Sequence, residues 1–144
     1  MHYICDINQN DMNQVESDAY NFVTNGKQYS GNVGRLYDSL QALSKLKQGW
    51  DGYNALPVNQ QVINNMCVVL NNCDNSQLQD WSVYPEINGT ILLQNHNRRA
   101  GINLGDKTFS YFIVNGNSVD GDDDKLFTVP LFLNVLNKLN DRLS

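Results

Sequence analysis

Few side chains in this sequence could act as an acid, a base or a nucleophile. His2 and His96 are the only histidines, and His96 stands close to Arg98 and Arg99 in a short polar segment. A histidine base needs a nucleophile and an orienting acid in fixed geometry, and no motif in the sequence supplies that set. We therefore predict no catalytic residue, although carboxylates that meet only in the folded protein would escape a search by motif.

The segment SVDGDDDK, residues 118–125, concentrates carboxylates that could bind Ca²⁺. An EF-hand loop needs oxygen ligands at positions 1, 3 and 5, glycine at position 6 and glutamate at position 12. Setting Gly121 at position 6 puts Gly116 at position 1 and Phe127 at position 12, so the motif does not fit. We expect a solvated acidic loop here, and we predict neither a metal ion nor another cofactor.

The stretch QGWDGYNALPVN, residues 48–59, has two interpretations. As a corner between helices, it would turn Trp50 inward and bury about 200 Å², with the indole N–H donating to a carbonyl or to Asp51. The Asp51 carboxylate would accept hydrogen bonds from nearby backbone N–H groups, and Trp50→Ala would cost about 3–5 kcal/mol. As a binding surface, the same stretch would expose Trp50 or Tyr53 as an anchor for a partner.

Arg98 and Arg99 form the only basic pair in the region predicted to be a sheet. Such a pair can bind an anion or a carboxylate of a partner, although paired arginines at a hairpin are usually solvated. The candidate binding residues are therefore Trp50, Asp51, Tyr53, Arg98 and Arg99.

Charge and composition exclude several classes of protein. The chain has 144 residues, a formal charge of −5 and a pI near 4.7, so we predict no general affinity for nucleic acid. No apolar run approaches the roughly 18 residues of a membrane span, and the start MHYICDIN does not read as a signal peptide. With Cys67 predicted to be a free, buried thiol, we expect a protein of the bacterial cytoplasm without a membrane partner. The oligomeric state is left open.

Apolar residues recur at helical spacing in three segments before the predicted sheet. The first helix begins near Asp11 and ends at Asn25-Gly26, and the second runs from about Asn32 to Gly49. Asn59 is a good N-cap for the third.

The pattern then changes to the period of strands, in WSVYPEI, TILLQN, RAGINL and TFSYFIV. Asn88-Gly89 predicts a type I′ hairpin, and Pro85 places the first strand at an edge or at a bulge. After the acidic loop, a last helix begins near Thr128. We therefore predict a single α+β domain spanning residues 1–144, with N-terminal helices, a four-stranded antiparallel meander and a C-terminal helix.

The order of these elements resembles a family of small bacterial proteins of uncertain function. The resemblance is carried by LKQGWDGYNALP, a capped helix, YPEINGTILLQ and INLGDKTFSYFI, and it covers Leu46 to Val114. Family members often have more prolines where this chain has NALPVN, and an aromatic residue near Asn95. The resemblance implies the order of the elements and a bacterial origin, and it implies no activity.

The function that these features favour is a non-catalytic protein-binding module with a protein partner. It could be the acidic member of a toxin–antitoxin or immunity pair, or a phage or mobile-element inhibitor of a host or defence enzyme. The alternative is a small-ligand or nucleotide-binding domain with a pocket between sheet and helices, near Arg98, Arg99, Tyr111 and Trp50. A third hypothesis is an enzyme with a dispersed active site, which would need carboxylates with strongly shifted pKa values in one cleft.

Overall fold

The computed structural model of the protein describes residues 30–144, so the helix predicted from Asp11 to Gly26 lies outside the described residues. Within that range the chain forms three helices and one five-stranded sheet, and the fold is α+β as predicted. The elements are α1 (Gly31–Leu43), α2 (Gln60–Asn71), β1 (Trp81–Pro85), β2 (Ile91–Asn95), β3 (Ala100–Leu104), β4 (Thr108–Asn115), β5 (Ser118–Leu126) and α3 (Val129–Leu143).

The first described helix is shorter than the sequence predicts. α1 ends at Leu43, and the next turn is tighter than an α-helix, because the N–H of Lys45 donates to the carbonyl of Ala42 at 3.1 Å. Gly49 does adopt positive φ, +79°, but it does so inside the connection to α2 and does not terminate α1. The polar segment after Leu43 is therefore free to form a corner.

Side-chain caps begin the other two helices; the cap at Asn59 and the helix start near Thr128 are as the sequence predicts. The Asn59 side chain accepts a hydrogen bond from the N–H of Gln61 at 2.7 Å, and Thr128 accepts one from the N–H of Leu131 at 3.2 Å. Pro130 stands in the first turn of α3, where its missing N–H is not required. Capping depends on neighbours in the sequence, which is why it could be predicted.

The sheet is an antiparallel meander with the strand order β1-β2-β3-β4-β5. The meander and the edge position of β1, which contains Pro85, are confirmed. The predicted number of four strands is wrong, because the acidic segment 118–125 belongs to strand β5. The two-residue turn Gly116-Asn117 makes the reversal, with Gly116 at φ +57°, and β5 then pairs along the whole of β4. The aspartates remain in solvent while the backbone hydrogen bonds hold the strand.

The hairpin between β1 and β2 forms where it was predicted, but with another turn. The N–H of Gly89 donates to the carbonyl of Glu86 at 3.1 Å, and the N–H of Glu86 donates to the carbonyl of Thr90 at 3.0 Å. Gly89, at φ +91°, has positive φ and Asn88 does not. The geometry is a type I turn followed by a glycine bulge rather than type I′.

The helices cover one face of the sheet, and the core lies between them. Trp81 is completely buried, and its indole N–H donates to the side-chain oxygen of Asn140 in α3 at 2.8 Å. The rings of Phe109 and Phe132 pack with centroids 5.3 Å apart, which joins β4 to α3. Cys67 is buried as predicted but is disulfide-bonded, so the predicted free thiol is wrong.

A surface ion pair ties β5 to α3. The guanidinium of Arg142 donates to the Asp120 carboxylate at 3.0 Å, and with a second bond from Asn115 it holds the pKa of Asp120 below its usual value. A carboxylate whose pKa is lower in the folded state stabilises the fold above its unfolded pKa, and that stabilisation is lost as the pH falls through the folded pKa.

We therefore expect Asp120→Asn to melt at a lower temperature than the wild-type protein above the ordinary pKa of an aspartate, about 3.9, with the difference shrinking as the pH falls through the lowered pKa of the folded state. Thermal unfolding across this pH range, followed by circular dichroism, measures the difference. Because the Asp120 side chain is exposed to solvent, the difference should be small. A melting difference that stays constant with pH would contradict the role of the ionised carboxylate.

Candidate functional site

The corner, residues 49–59, is a folded connection between α1 and α2. The N–H of Gly49 donates to the carbonyl of Ala55 at 2.8 Å. The Asp51 carboxylate accepts hydrogen bonds from the N–H groups of Tyr53 at 2.9 Å and of Ala55 at 3.1 Å. The predicted role of Asp51 as a turn residue is confirmed, and the corner has one defined shape.

Trp50 is only half-buried, which differs from the prediction that it anchors the core. Its indole N–H finds a backbone acceptor, the carbonyl of Leu56 at 2.8 Å, as predicted. The expected position between two helices is wrong, because the corner packs beside the β1–β2 hairpin. The tryptophan buried in the core is Trp81, so the large stability effect predicted for Trp50 belongs to Trp81.

The corner is attached to the β1–β2 hairpin by backbone hydrogen bonds. The N–H of Leu56 donates to the carbonyl of Ile87, and the N–H of Asn59 donates to the carbonyl of Gly89, both at 2.9 Å. A Cβ at position 89 would stand 3.2 Å from the carbonyl oxygen of Pro57, so glycine at this position permits the close approach. The sheet thereby holds the corner in place.

Four large apolar residues belong to the corner and to the hairpin attached to it, and we call Trp50, Tyr53, Leu56 and Ile87 the corner patch. Tyr53 is 83% exposed, Ile87 64% and Leu56 46%. Because hydrogen bonds already fix the backbone that carries these side chains, binding of a partner would not have to order the loop. No pattern in the sequence indicates Leu56 or Ile87 as binding residues, because the two meet only through the pairing of the corner with the hairpin.

Arg98 and Arg99 lie far from the corner patch along the sheet. They are exposed in the β2–β3 connection, where Arg98 has φ +63° and donates its N–H to the carbonyl of Asn95 at 2.8 Å. The hairpin that carries the corner precedes β2, whereas the arginines follow it. The five predicted binding residues thus form two separate surfaces, one with Trp50, Asp51 and Tyr53 and one with the arginine pair.

Ser82, His96 and Asp80 come together beside β1, which no motif indicates. The Ser82 hydroxyl lies 2.8 Å from Nε2 of His96, and Asp80 lies 4.0 Å from Nδ1. Arg35 of α1 donates to the Ser82 hydroxyl at 3.0 Å and to the carbonyl of Trp81 at 2.6 Å.

This arrangement could exchange a proton between the hydroxyl and the imidazole. The carboxylate is beyond hydrogen-bonding distance, so it does not orient the ring as a catalytic triad requires. The contacts fasten α1 and the β2–β3 connection to the edge of the sheet.

A cavity of about 490 Å³ opens between the end of α3, the α2–β1 connection and the β2–β3 connection. It lies between sheet and helix, as the small-ligand alternative requires. Trp50, Arg98, Arg99 and Tyr111, which were predicted to surround such a pocket, are not among its lining residues. The cavity therefore needs its own chemical interpretation.

Within residues 30–144, no three His, Cys, Asp or Glu side chains are grouped so that they could hold a metal ion. None of the helices in this range combines the length and the apolar character needed to cross a membrane.

No family model, curated protein or solved structure matches the chain. The resemblance to small bacterial proteins stays a prediction, and the function has to be argued from the surfaces themselves.

Proposed function

We propose that the protein is a non-catalytic protein-binding module and that the corner patch is its contact surface. The observation that carries the proposal is the exposure of Tyr53 and Ile87 on a framework fixed by hydrogen bonds. Aromatic side chains such as tyrosine and tryptophan often supply much of the binding energy at the apolar centre of a protein interface, which is surrounded by a polar rim.

The partner that fits best presents an apolar surface with basic groups around it. Asp51 stands within the corner, and Glu86 precedes Ile87 in the attached hairpin. Complementary charge at the rim of an interface speeds association and selects the partner. This chemistry suits the acidic member of a toxin–antitoxin or immunity pair, or a phage or mobile-element inhibitor of a host or defence enzyme.

We also propose a location in the bacterial cytoplasm, as the sequence predicts. The disulfide bond at Cys67 counts against that compartment, because reducing conditions keep most cysteines as thiols.

The alternative of a small-ligand-binding domain is supported by the cavity beside α3. A nucleotide does not suit this cavity, because its lining has no cationic side chain to bind a phosphate group.

Photo-crosslinking from the corner patch tests the binding proposal. A benzoylphenylalanine introduced at Tyr53 should capture one protein in cells, whereas the same probe at Asn97, beyond the other end of β2, should not. Tyr53→Ala combined with Ile87→Ala should weaken binding of the captured protein at least about tenfold. Both side chains are exposed, so each substitution should change the free energy of unfolding by less than about 0.5 kcal/mol.

A matched control is available in β5, where Val119 and Leu126 are 65% and 68% exposed. Val119→Ala combined with Leu126→Ala truncates two exposed apolar side chains elsewhere on the surface and should leave the affinity unchanged. Equal losses from both double variants, or capture from Asn97 alone, would show that the partner does not use the corner patch.

A further inference from the structure

The cavity beside α3 has a polar lining dominated by carboxamides. Leu143 is its only aliphatic lining residue, and Asp80 and Asp141 are its only charged ones. No lysine, arginine or histidine contributes to the wall. The six lining carboxamides belong to Gln77, Gln79, Asn95, Asn97, Asn137 and Asn140.

Part of this wall is held by its own hydrogen bonds. Asn140 accepts from the indole N–H of Trp81 at 2.8 Å and donates to the carbonyl of Gln77 at 2.9 Å. The side chain of Gln77 donates to the side-chain oxygen of Asn137 at 3.1 Å. These bonds fix the wall formed by α3 and connect it directly to the buried indole.

Asn95 differs from Gln77 and Asn140 in this wall, because its side-chain oxygen accepts a hydrogen bond while its NH₂ group donates none within residues 30–144. Its side-chain oxygen accepts from the N–H of Asn97 at 3.2 Å, which identifies the other terminal atom as the NH₂ group. Only 7% of Asn95 is exposed, and among the residues that the structure describes its NH₂ group has no acceptor. A buried amide normally finds a partner, so this donor is available to a molecule in the cavity.

The polar groups restrict the chemistry of that molecule. It must offer an acceptor to the NH₂ group of Asn95 and donors to the carboxylates of Asp80 and Asp141. An anion would meet two carboxylates and no cation in the lining. Hydroxyl groups satisfy both requirements at once, because each can donate and accept.

The geometry points to a binding site for a neutral, polyhydroxylated ligand, such as a mono- or disaccharide, in the cavity at Asn95. A volume of about 490 Å³ falls in the range of small-molecule sites. The site lies beyond the end of β2, whereas the corner patch lies before its start, so it is a second surface and does not depend on protein binding at the corner. Failure of one proposal therefore leaves the other standing.

Binding to the full-length protein tests this site directly. Trp50→Phe leaves Trp81 as the single tryptophan, and its bond to Asn140 makes its fluorescence sensitive to the cavity. We titrate this variant with glucose, galactose, mannose, N-acetylglucosamine and their common disaccharides, and we confirm contacts by saturation-transfer NMR. At least one saccharide should bind with a Kd of about 1 mM or lower, and adenosine monophosphate should not bind.

Two substitutions then locate the bound ligand. Asn95→Asp keeps the oxygen that accepts from Asn97 but removes the NH₂ donor, so the affinity should fall at least about tenfold. Gln79→Ala changes an exposed lining side chain, leaves the fold intact, and should weaken binding about threefold or more.

Three results would overturn the inference. The first is that no saccharide of the panel binds at about 50 mM, far above the expected Kd. The second is equal affinity in the wild-type protein and in the folded variants, which would place the ligand elsewhere. The third is binding of adenosine monophosphate in preference to the saccharides, which would exclude the neutral class.

Discussion

Trp81→Ala should lower the free energy of unfolding by about 3–5 kcal/mol, the range expected when a large buried aromatic side chain is removed. Trp81 is completely buried in the core between β1 and the helices. The substitution would leave a cavity there. It would also remove the indole N–H that donates a hydrogen bond to the side-chain oxygen of Asn140. A domain of this size is stable by only about 5–15 kcal/mol, so much of its stability depends on this residue.

Urea unfolding at equilibrium, followed by far-UV circular dichroism, measures this effect. Trp50→Ala is the matched control, because it removes the same side chain from a half-buried surface position and should cost about 1 kcal/mol. Equal losses of stability in the two variants would contradict the finding that Trp81 is buried in the core and Trp50 is not.

Gly121→Ala should separate β5 from β4 and lower the free energy of unfolding by about 1–3 kcal/mol, as overpacking does. A Cβ at position 121 would stand 2.1 Å from the carbonyl oxygen of Tyr111 and 3.0 Å from the Cα of Phe112. Both are backbone atoms of the partner strand, so no side-chain rotation can relieve the clash. The strands would have to move apart.

Hydrogen exchange shows whether the damage is local. We expect the amides of β5 to lose protection in Gly121→Ala while those of β2 and β3 keep theirs. Val119→Ala, in the same strand and exposed, should leave the protection of β5 unchanged. Full protection of β5 in Gly121→Ala would mean that the strands pair less closely at Gly121 than the structure describes.

Features set by neighbouring residues could be predicted from the sequence. The cap at Asn59 and the edge strand with Pro85 follow from local geometry, and both are confirmed. β5 was missed because aspartate disfavours strands on average, whereas its pairing with β4 decides the outcome. The hairpin signal Gly116-Asn117 was present in the sequence and would have indicated the strand.

Features that join distant parts of the chain could not be predicted. Nothing near Trp50 or Trp81 in the sequence tells which one is buried, because Trp81 meets its partner Asn140 59 residues away. The corner patch likewise needs the hairpin at Ile87. The unused donor of Asn95 becomes visible only when the end of α3 closes one side of the cavity.

Both edges of the sheet carry features that oppose pairing with a second copy of this chain. At β1, Pro85 has no N–H to offer, and Arg35 occupies the carbonyl of Trp81. At β5, a row of aspartates would face the same charges on a second copy, which opposes edge-to-edge aggregation. β-Augmentation, the main-chain pairing that many peptide-binding domains use, is therefore disfavoured between two copies of this chain. Any self-association would have to rely on side chains.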